Sequence, residues 1–181
     1  MANLAVLGLA GFSGGIVLPT TIGDEFQGGY YMGQLGGYYL ICAPIAGQYD
    51  GTLQWKTTNT TTANTDSTTD GHANTAAMVV AGIAAHPAGR FCVDLTIDGY
   101  SDWYLPSKNE LNLLYTNHAA LEAAGAGSFG VNYFWSSSEY NASGAWDQYF
   151  GNGSQGVGNK STSYYVRAIR RFVYESNFRD A

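Results

Sequence analysis

Tyr133 to Phe172 reads YFWSSSEYNASGAWDQYFGNGSQGVGNKSTSYYVRAIRRF. Its two ends have the make-up of a fixed frame: Phe134-Trp135-Ser136-Ser137-Ser138-Glu139 on one side, Tyr165-Val166-Arg167-Ala168-Ile169-Arg170-Arg171-Phe172 on the other. Between them lies a run of Asn, Ser, Gly, Tyr, Gln and Thr with few aliphatic side chains. Such a run buries little apolar surface, so it is expected outside the core as loops and short strands. Trp146 and Phe150 punctuate it as apolar anchors. Alternation along Ala145 to Phe150 puts Trp146, Gln148 and Phe150 on one face and Asp147 and Tyr149 on the other. With Trp146 and Phe150 packed inward, Asp147 and Tyr149 are expected to point out. A pinned surface of this kind has the composition of a paratope: Tyr gives rigid contact area, and Ser, Gly and Asn give adaptable hydrogen bonding. The same composition also suits a solvated loop joining two strands.

A chain of 181 residues fits one domain with short appended segments. Its 45% hydrophobic content allows a real core, and its 24 glycines imply many turns. Only 12% of residues are charged, about half the usual share. A net charge of −6 and a pI near 4.8 argue against nonspecific nucleic-acid binding, which needs a basic footprint. The apolar N-terminus has no Lys or Arg before Pro19 and is interrupted by Gly8, Gly11, Gly14 and Gly15. It is read as mature sequence, too short and broken to span a bilayer. Cys42 and Cys92 both sit in apolar runs, as two buried thiols or as one disulfide; a metal site lacks His or Cys at ligand spacing.

Along the chain, Gly29 to Leu35 and Tyr38 to Ala43 are aromatic and β-branched runs around Gly36-Gly37, a hairpin signal. Thr57 to Thr69 is a low-complexity polar loop, and the spacing of Asp66 and Asp70 matches no calcium-loop pattern. A first helix is predicted from about Ala73 to Ala85, capped by Asp70 or Asn74, with Ala76, Val79, Val80 and Ile83 as its apolar stripe. Pro87 stops it, and His86 is read as a C-terminal helix residue. Ser107 and Glu110 form a capping box for a second helix running to about His118, burying Leu111 and Leu114, with a short helical piece after it that Gly125 closes.

Gly99-Tyr100-Ser101-Asp102-Trp103-Tyr104-Leu105-Pro106, then Trp135-Ser136-Ser137-Ser138-Glu139, Ala145-Trp146 and Val166-Arg167-Ala168-Ile169-Arg170 together resemble one family. It is the C-type-lectin-like domain family at the C-terminus of a bacterial collagen-like adhesin, and the same order occurs in phage tail proteins. The resemblance covers roughly residues 36–173. It implies an α+β fold, C-type-lectin-like, with two helices packed on a small twisted antiparallel sheet and a long displayed loop and strand segment. Residues 1–22 would be an apolar, glycine-rich attachment or oligomerisation segment, 23–175 the binding domain and 176–181 a tail.

The stretch from Trp135 to Arg167 is also similar to the variable segment of diversity-generating-retroelement proteins. Carried over, the frame is Trp135, Ser136, Ser137, Glu139, Ala145, Trp146, Phe150, Val166 and Arg167. The display positions are Tyr140, Asn141, Ser143, Asp147, Tyr149, Asn152, Ser154, Val157, Asn159, Ser161, Thr162 and Ser163. Glu139 is expected to accept hydrogen bonds from Ser hydroxyls or Arg167 within the frame. The Glu-Pro-Asn, Gln-Pro-Asp and Trp-Asn-Asp triplets of calcium-dependent sugar-binding lectins do not occur. Enzymes of the formylglycine-generating type share the broad fold but need cysteines or metal ligands in the displayed region, whereas Cys42 and Cys92 lie upstream.

The resemblance therefore implies a receptor-binding protein of a phage tail or virion appendage, without catalysis, metal or cofactor. Its partners would be a host cell-surface glycan or protein and, through the N-terminal segment, other virion proteins. A homo-oligomer is expected, a trimer favoured, with no membrane insertion and a place on the virion or a bacterial surface. The alternatives are a structural virion component using the same face for subunit contacts and an enzyme on the formylglycine-generating scaffold.

Overall fold

A computed structural model describes residues 16–173. Most of the expected attachment segment and the C-terminal tail therefore lie outside the described residues. The order of elements is β1 (Glu25–Phe26), β2 (Gly29–Leu35), β3 (Tyr38–Cys42), β4 (Leu53–Gln54), α1 (Gly71–Val80), α2 (Pro87–Val93), α3 (Lys108–Ala123), β5 (Tyr133–Glu139), β6 (Gly144–Tyr149), β7 (Gln155–Asn159), β8 (Ser163–Tyr164) and β9 (Ile169–Phe172). The fold is mixed α and β. Its strands form a four-stranded sheet β1-β2-β3-β9, a three-stranded sheet β5-β6-β7 and the pair β4-β8. Every paired neighbour in these sheets is antiparallel.

The predicted hairpin forms. Gly36 and Gly37 adopt φ of 60° and 82°, the left-handed pair that a two-residue hairpin turn requires. Alternation along β2 and β3 then feeds two cores from one sheet. Tyr31 and Ile41 join Trp55, Met78, Cys92, Trp103 and Trp135 on one side. Met32, Leu40 and Cys42 meet Leu111, Leu114 and Leu121 of α3, with Phe129 and Phe134, on the other. β9 closes this sheet from the far end of the chain, pairing Ile41 with Arg170.

The helices depart from expectation in number and in face. Three α-helices form among the described residues. Asp70 caps α1, its carboxylate accepting from Ala73 N–H, but the helix ends at Val80 and a single 3₁₀ turn at Ile83–Ala85 follows. Val79 and Val80 lie exposed, and the buried face holds Gly71, Asn74, Thr75 and Met78. The reason is the surface α1 meets: Asn74 Nδ2 donates to Ser137 Oγ at 3.1 Å and to Ser67 O at 2.7 Å, so a polar face is the buried one. Pro87 does not stop α1, which already ends at Val80; it starts α2 at a position where its missing N–H is no loss. His86 is fully buried before it, bonded to Thr62 Oγ1 and Gly82 O. The second predicted helix and its short sequel are one continuous helix, α3, with the capping box of Ser107 and Glu110 in place.

Cys42 and Cys92 are free and buried. Burial pushes the Cys42 thiol up to about 11 and raises that of Cys92 as well. Neither is expected to react with a water-soluble maleimide until the protein unfolds; rapid labelling of the folded protein would contradict this.

Candidate functional site

The frame is a buried polar seam. Ser136, Ser137 and Ser138 are wholly enclosed. Ser136 Oγ donates to Trp146 O at 2.8 Å, and Ser138 Oγ donates to Ser67 O at 2.6 Å. Trp135 is fully buried, its indole N–H donating to Leu53 O at 2.9 Å. Ser136 thus ties β5 to β6, while Ser137 and Ser138 tie β5 to α1 and to the Thr-rich loop, leaving that region little freedom.

Glu139 has different partners from those expected. Its Oε2 accepts from Thr62 N–H at 2.8 Å, from Thr65 Oγ1 at 3.3 Å and from Lys160 Nζ at 2.8 Å. Arg167 instead bonds Ala43 O, Ala126 O and Gln48. Lys160 is fully buried, and burial lowers its ammonium pKa. Lys56 Nζ completes the group, donating to Thr60 O, Thr61 O and Thr62 Oγ1. The Thr-rich loop is therefore wrapped around two ammonium groups. Asp66 is exposed, and Asp70 is engaged as the α1 cap and with Arg171 Nη1 at 2.9 Å. Among the described residues no three His, Cys, Asp or Glu side chains gather as metal ligands.

The display positions fall into three places. Tyr140, Asn141 and Ser143 at the β5–β6 turn are exposed, as are Asn159 at the end of β7, Ser161 and Thr162 in the turn after it and Ser163 at the start of β8. Lys160 N–H donates to Ser143 O at 2.9 Å, so these two tips lie side by side at one end of the sheet. Asn152 and Ser154 are exposed at the opposite end. The asparagines shape the tips. Asn141 Oδ1 accepts from Ser143 N–H at 3.0 Å and Gly144 N–H at 2.8 Å. Asn159 Oδ1 accepts from Ser161 N–H at 3.0 Å, and Asn152 Oδ1 from Ser154 N–H at 3.0 Å. Each is an Asx turn, a side chain standing in for the backbone.

Mid-sheet, the outcome differs from the alternation argument. Asp147 is only 4% exposed and Tyr149 half-buried, although both do leave the Trp146 face. The cause is a layer of aromatic rings over that face. Tyr133 stacks on Tyr149 at 4.6 Å and on Tyr164 at 5.2 Å, and Tyr164 leans on Trp135 at 4.5 Å. Gly156 and Gly158 of β7 supply the space in which the carboxylate lies, since a Cβ on either would stand 3.2 or 3.0 Å from an Asp147 oxygen. Desolvation raises the Asp147 carboxyl to about 6. Tyr133, Tyr164 and the two glycines were not singled out from the sequence; the alternation of Gly156 and Gly158 in register with Asp147 was the available signal. Trp146 on the other face carries Lys108 Nζ at 3.4 Å over its ring and Tyr140 against its edge.

The family model of the Lcl C-terminal domain matches residues 49–170. No curated protein matches the chain. Among solved structures, a fimbrial protein from Bacteroides ovatus ATCC 8483 is similar at a TM-score of 0.50 and 13% sequence identity. The likeness covers 73% of this chain and 35% of that one, and speaks of fold alone.

Proposed function

Since the chain belongs to the Lcl C-terminal domain family, we propose that it is an adhesin-type binding module acting without catalysis. On this reading the fold is C-type-lectin-like, and the protein sits outside the cell on a phage tail, another virion appendage or a bacterial surface. The ligand is a host-surface glycan or protein, and oligomerisation, as a trimer, multiplies weak contacts. One observation carries the proposal. The exposed display residues Tyr140, Asn141, Ser143, Asn159, Ser161 and Thr162 sit on neighbouring turns that side-chain hydrogen bonds hold rigid. Rigid polar tips lose little entropy on binding, which is how preorganised recognition loops gain affinity. The fimbrial neighbour is compatible with adhesion, and the burial of both thiols supports binding over thiol chemistry.

The test is binding of the purified protein to a panel of bacterial cells, with and without EDTA. Saturable, strain-selective binding that survives EDTA is expected. Tyr140→Ala combined with Thr162→Ala leaves the Asx turns intact and is expected to weaken it by at least about tenfold, as for loss of central interface contacts. Binding to no strain, or undiminished binding by this variant, would overturn the proposal.

A further inference from the structure

The β5-β6-β7 sheet has an open side. Lys160 N–H donates to Ser143 O at 2.9 Å and Tyr149 N–H donates to Ser154 O at 2.9 Å. These two bonds fix the parity of the β6–β7 ladder, in which Ala145 pairs with Gly158 and Asp147 with Gly156. Residues at those pairs turn their main-chain groups toward β6, so Gln155, Val157 and Asn159 turn theirs outward. Among the described residues β7 pairs with β6 alone. Of the outward groups, Asn159 O accepts from Thr162 N–H, and the others have no hydrogen-bond partner among the described residues. Natural sheets usually blunt such an edge with a charged side chain, a proline or a bulge. Gln155-Gly156-Val157-Gly158-Asn159 carries none of these, and Val157 at its centre is exposed.

The second observation lies one strand in. Asp147 is buried, yet no side-chain or main-chain donor of the described residues bonds its carboxylate by geometry. The Gly158 N–H eases its pKa shift, but that hydrogen belongs to the ladder with Ala145. No fully enclosed side-chain polar atom of the described residues lacks a partner, so the Asp147 oxygens open to the surface. They open beside Gly156, which carries no side chain to cover them, whereas the Trp135 and Tyr164 rings already lie over Gly158. The anion is thus built for a donor that the described residues do not supply.

We infer that β7 is the docking edge for an extended basic peptide segment of a partner protein, which adds as a fourth strand and lays a Lys or Arg across Gly156 onto Asp147. The Cα atoms of Asp147 and of a residue on the added strand stand roughly 9–10 Å apart, two strand spacings. A Lys or Arg spans that gap together with the Asp side chain, and shorter donors do not. The carboxylate, the aromatic rings beside it and the chain's net charge of −6 all favour a cation there. A second copy of this chain does not fit the same role. In an antiparallel β7–β7 pairing about Val157, glycine faces glycine and nothing reaches Asp147, while Lys160 is held inside by Glu139. The inference stands apart from the loop-tip reading, because it uses neither Tyr140 nor Thr162.

The experiment is selection of a random linear 12-residue peptide library against the immobilised full-length protein at neutral pH, followed by titration of the enriched peptides in solution. Enrichment of strand-forming sequences with Lys or Arg at one fixed position is expected. Asp147→Asn is expected to weaken such a peptide about tenfold, and to leave its norleucine counterpart unchanged. Backbone N-methylation at alternate peptide residues is expected to abolish binding on one edge and spare it on the other, a signature of strand addition. No enrichment, peptides without a basic position, equal binding by Asp147→Asn or insensitivity to N-methylation would each overturn the inference. So would self-association through β7 that peptide does not compete.

Discussion

Glu110→Ala is expected to lower the melting temperature by roughly 6–16 °C, for a loss of about 3–4 kcal/mol. Glu110 Oε2 accepts from Ser107 N–H at 2.7 Å and from Gly71 N–H at 3.0 Å. Its Oε1 accepts from Tyr104 Oη at 2.9 Å. One carboxyl therefore closes the N-termini of α1 and α3 and satisfies a buried phenol between them. Burial raises its pKa, and these donors counter the shift. Alanine leaves three buried donors without an acceptor, each carrying a desolvation penalty of about 1–3 kcal/mol before the site relaxes. Ser107→Ala removes only one cap and is expected to cost about 1 kcal/mol. Thermal unfolding of the two variants side by side checks the difference. Equal effects would mean that Glu110 acts only as a local cap.

The second large effect is at Glu139. Glu139→Ala is expected to destabilise by about 3–5 kcal/mol, because it leaves Lys160 charged, fully buried and without its counter-ion. The loss is expected to be local in its structural reach. Thr62 N–H also loses its acceptor, while the Thr65 hydroxyl keeps Thr62 O at 2.8 Å, so amides of the Thr-rich loop should exchange faster with solvent deuterium while α3 stays protected. Adding Lys160→Met removes the orphaned charge, and the double variant is expected to be more stable than Glu139→Ala alone. Thermal unfolding with residue-resolved hydrogen exchange reads both results. A double variant less stable than the single would show that Lys160 holds the loop chiefly through Thr60 O, to which it donates at 3.0 Å.

Local signals were legible where a few neighbouring residues suffice. The Gly36-Gly37 turn, the capping box of Ser107 and Glu110, the Asp70 cap and Trp135 as an anchor all follow from short-range stereochemistry. The exposed asparagine and serine tips were legible for the same reason, since an Asx turn closes within three residues. The stripe assigned to α1 failed because periodicity marks apolar residues, and this helix packs on serines. Its buried side is polar only because the surface opposite happens to offer partners.

By itself, then, the sequence determined the turns, the caps, a mixed α and β composition and which stretch is too polar to form a core. Only the tertiary structure decided what that polar stretch is attached to. Glu139 meets Thr62 across 77 positions and Lys160 meets Thr60 across 100, distances over which no spacing rule operates. It also decided that Asp147 is covered by Tyr133, Tyr164 and Trp135 and left open only beside Gly156 of β7. A residue's exposure depends on which neighbours the sheet register brings over it, and alternation along one strand says only which way it points.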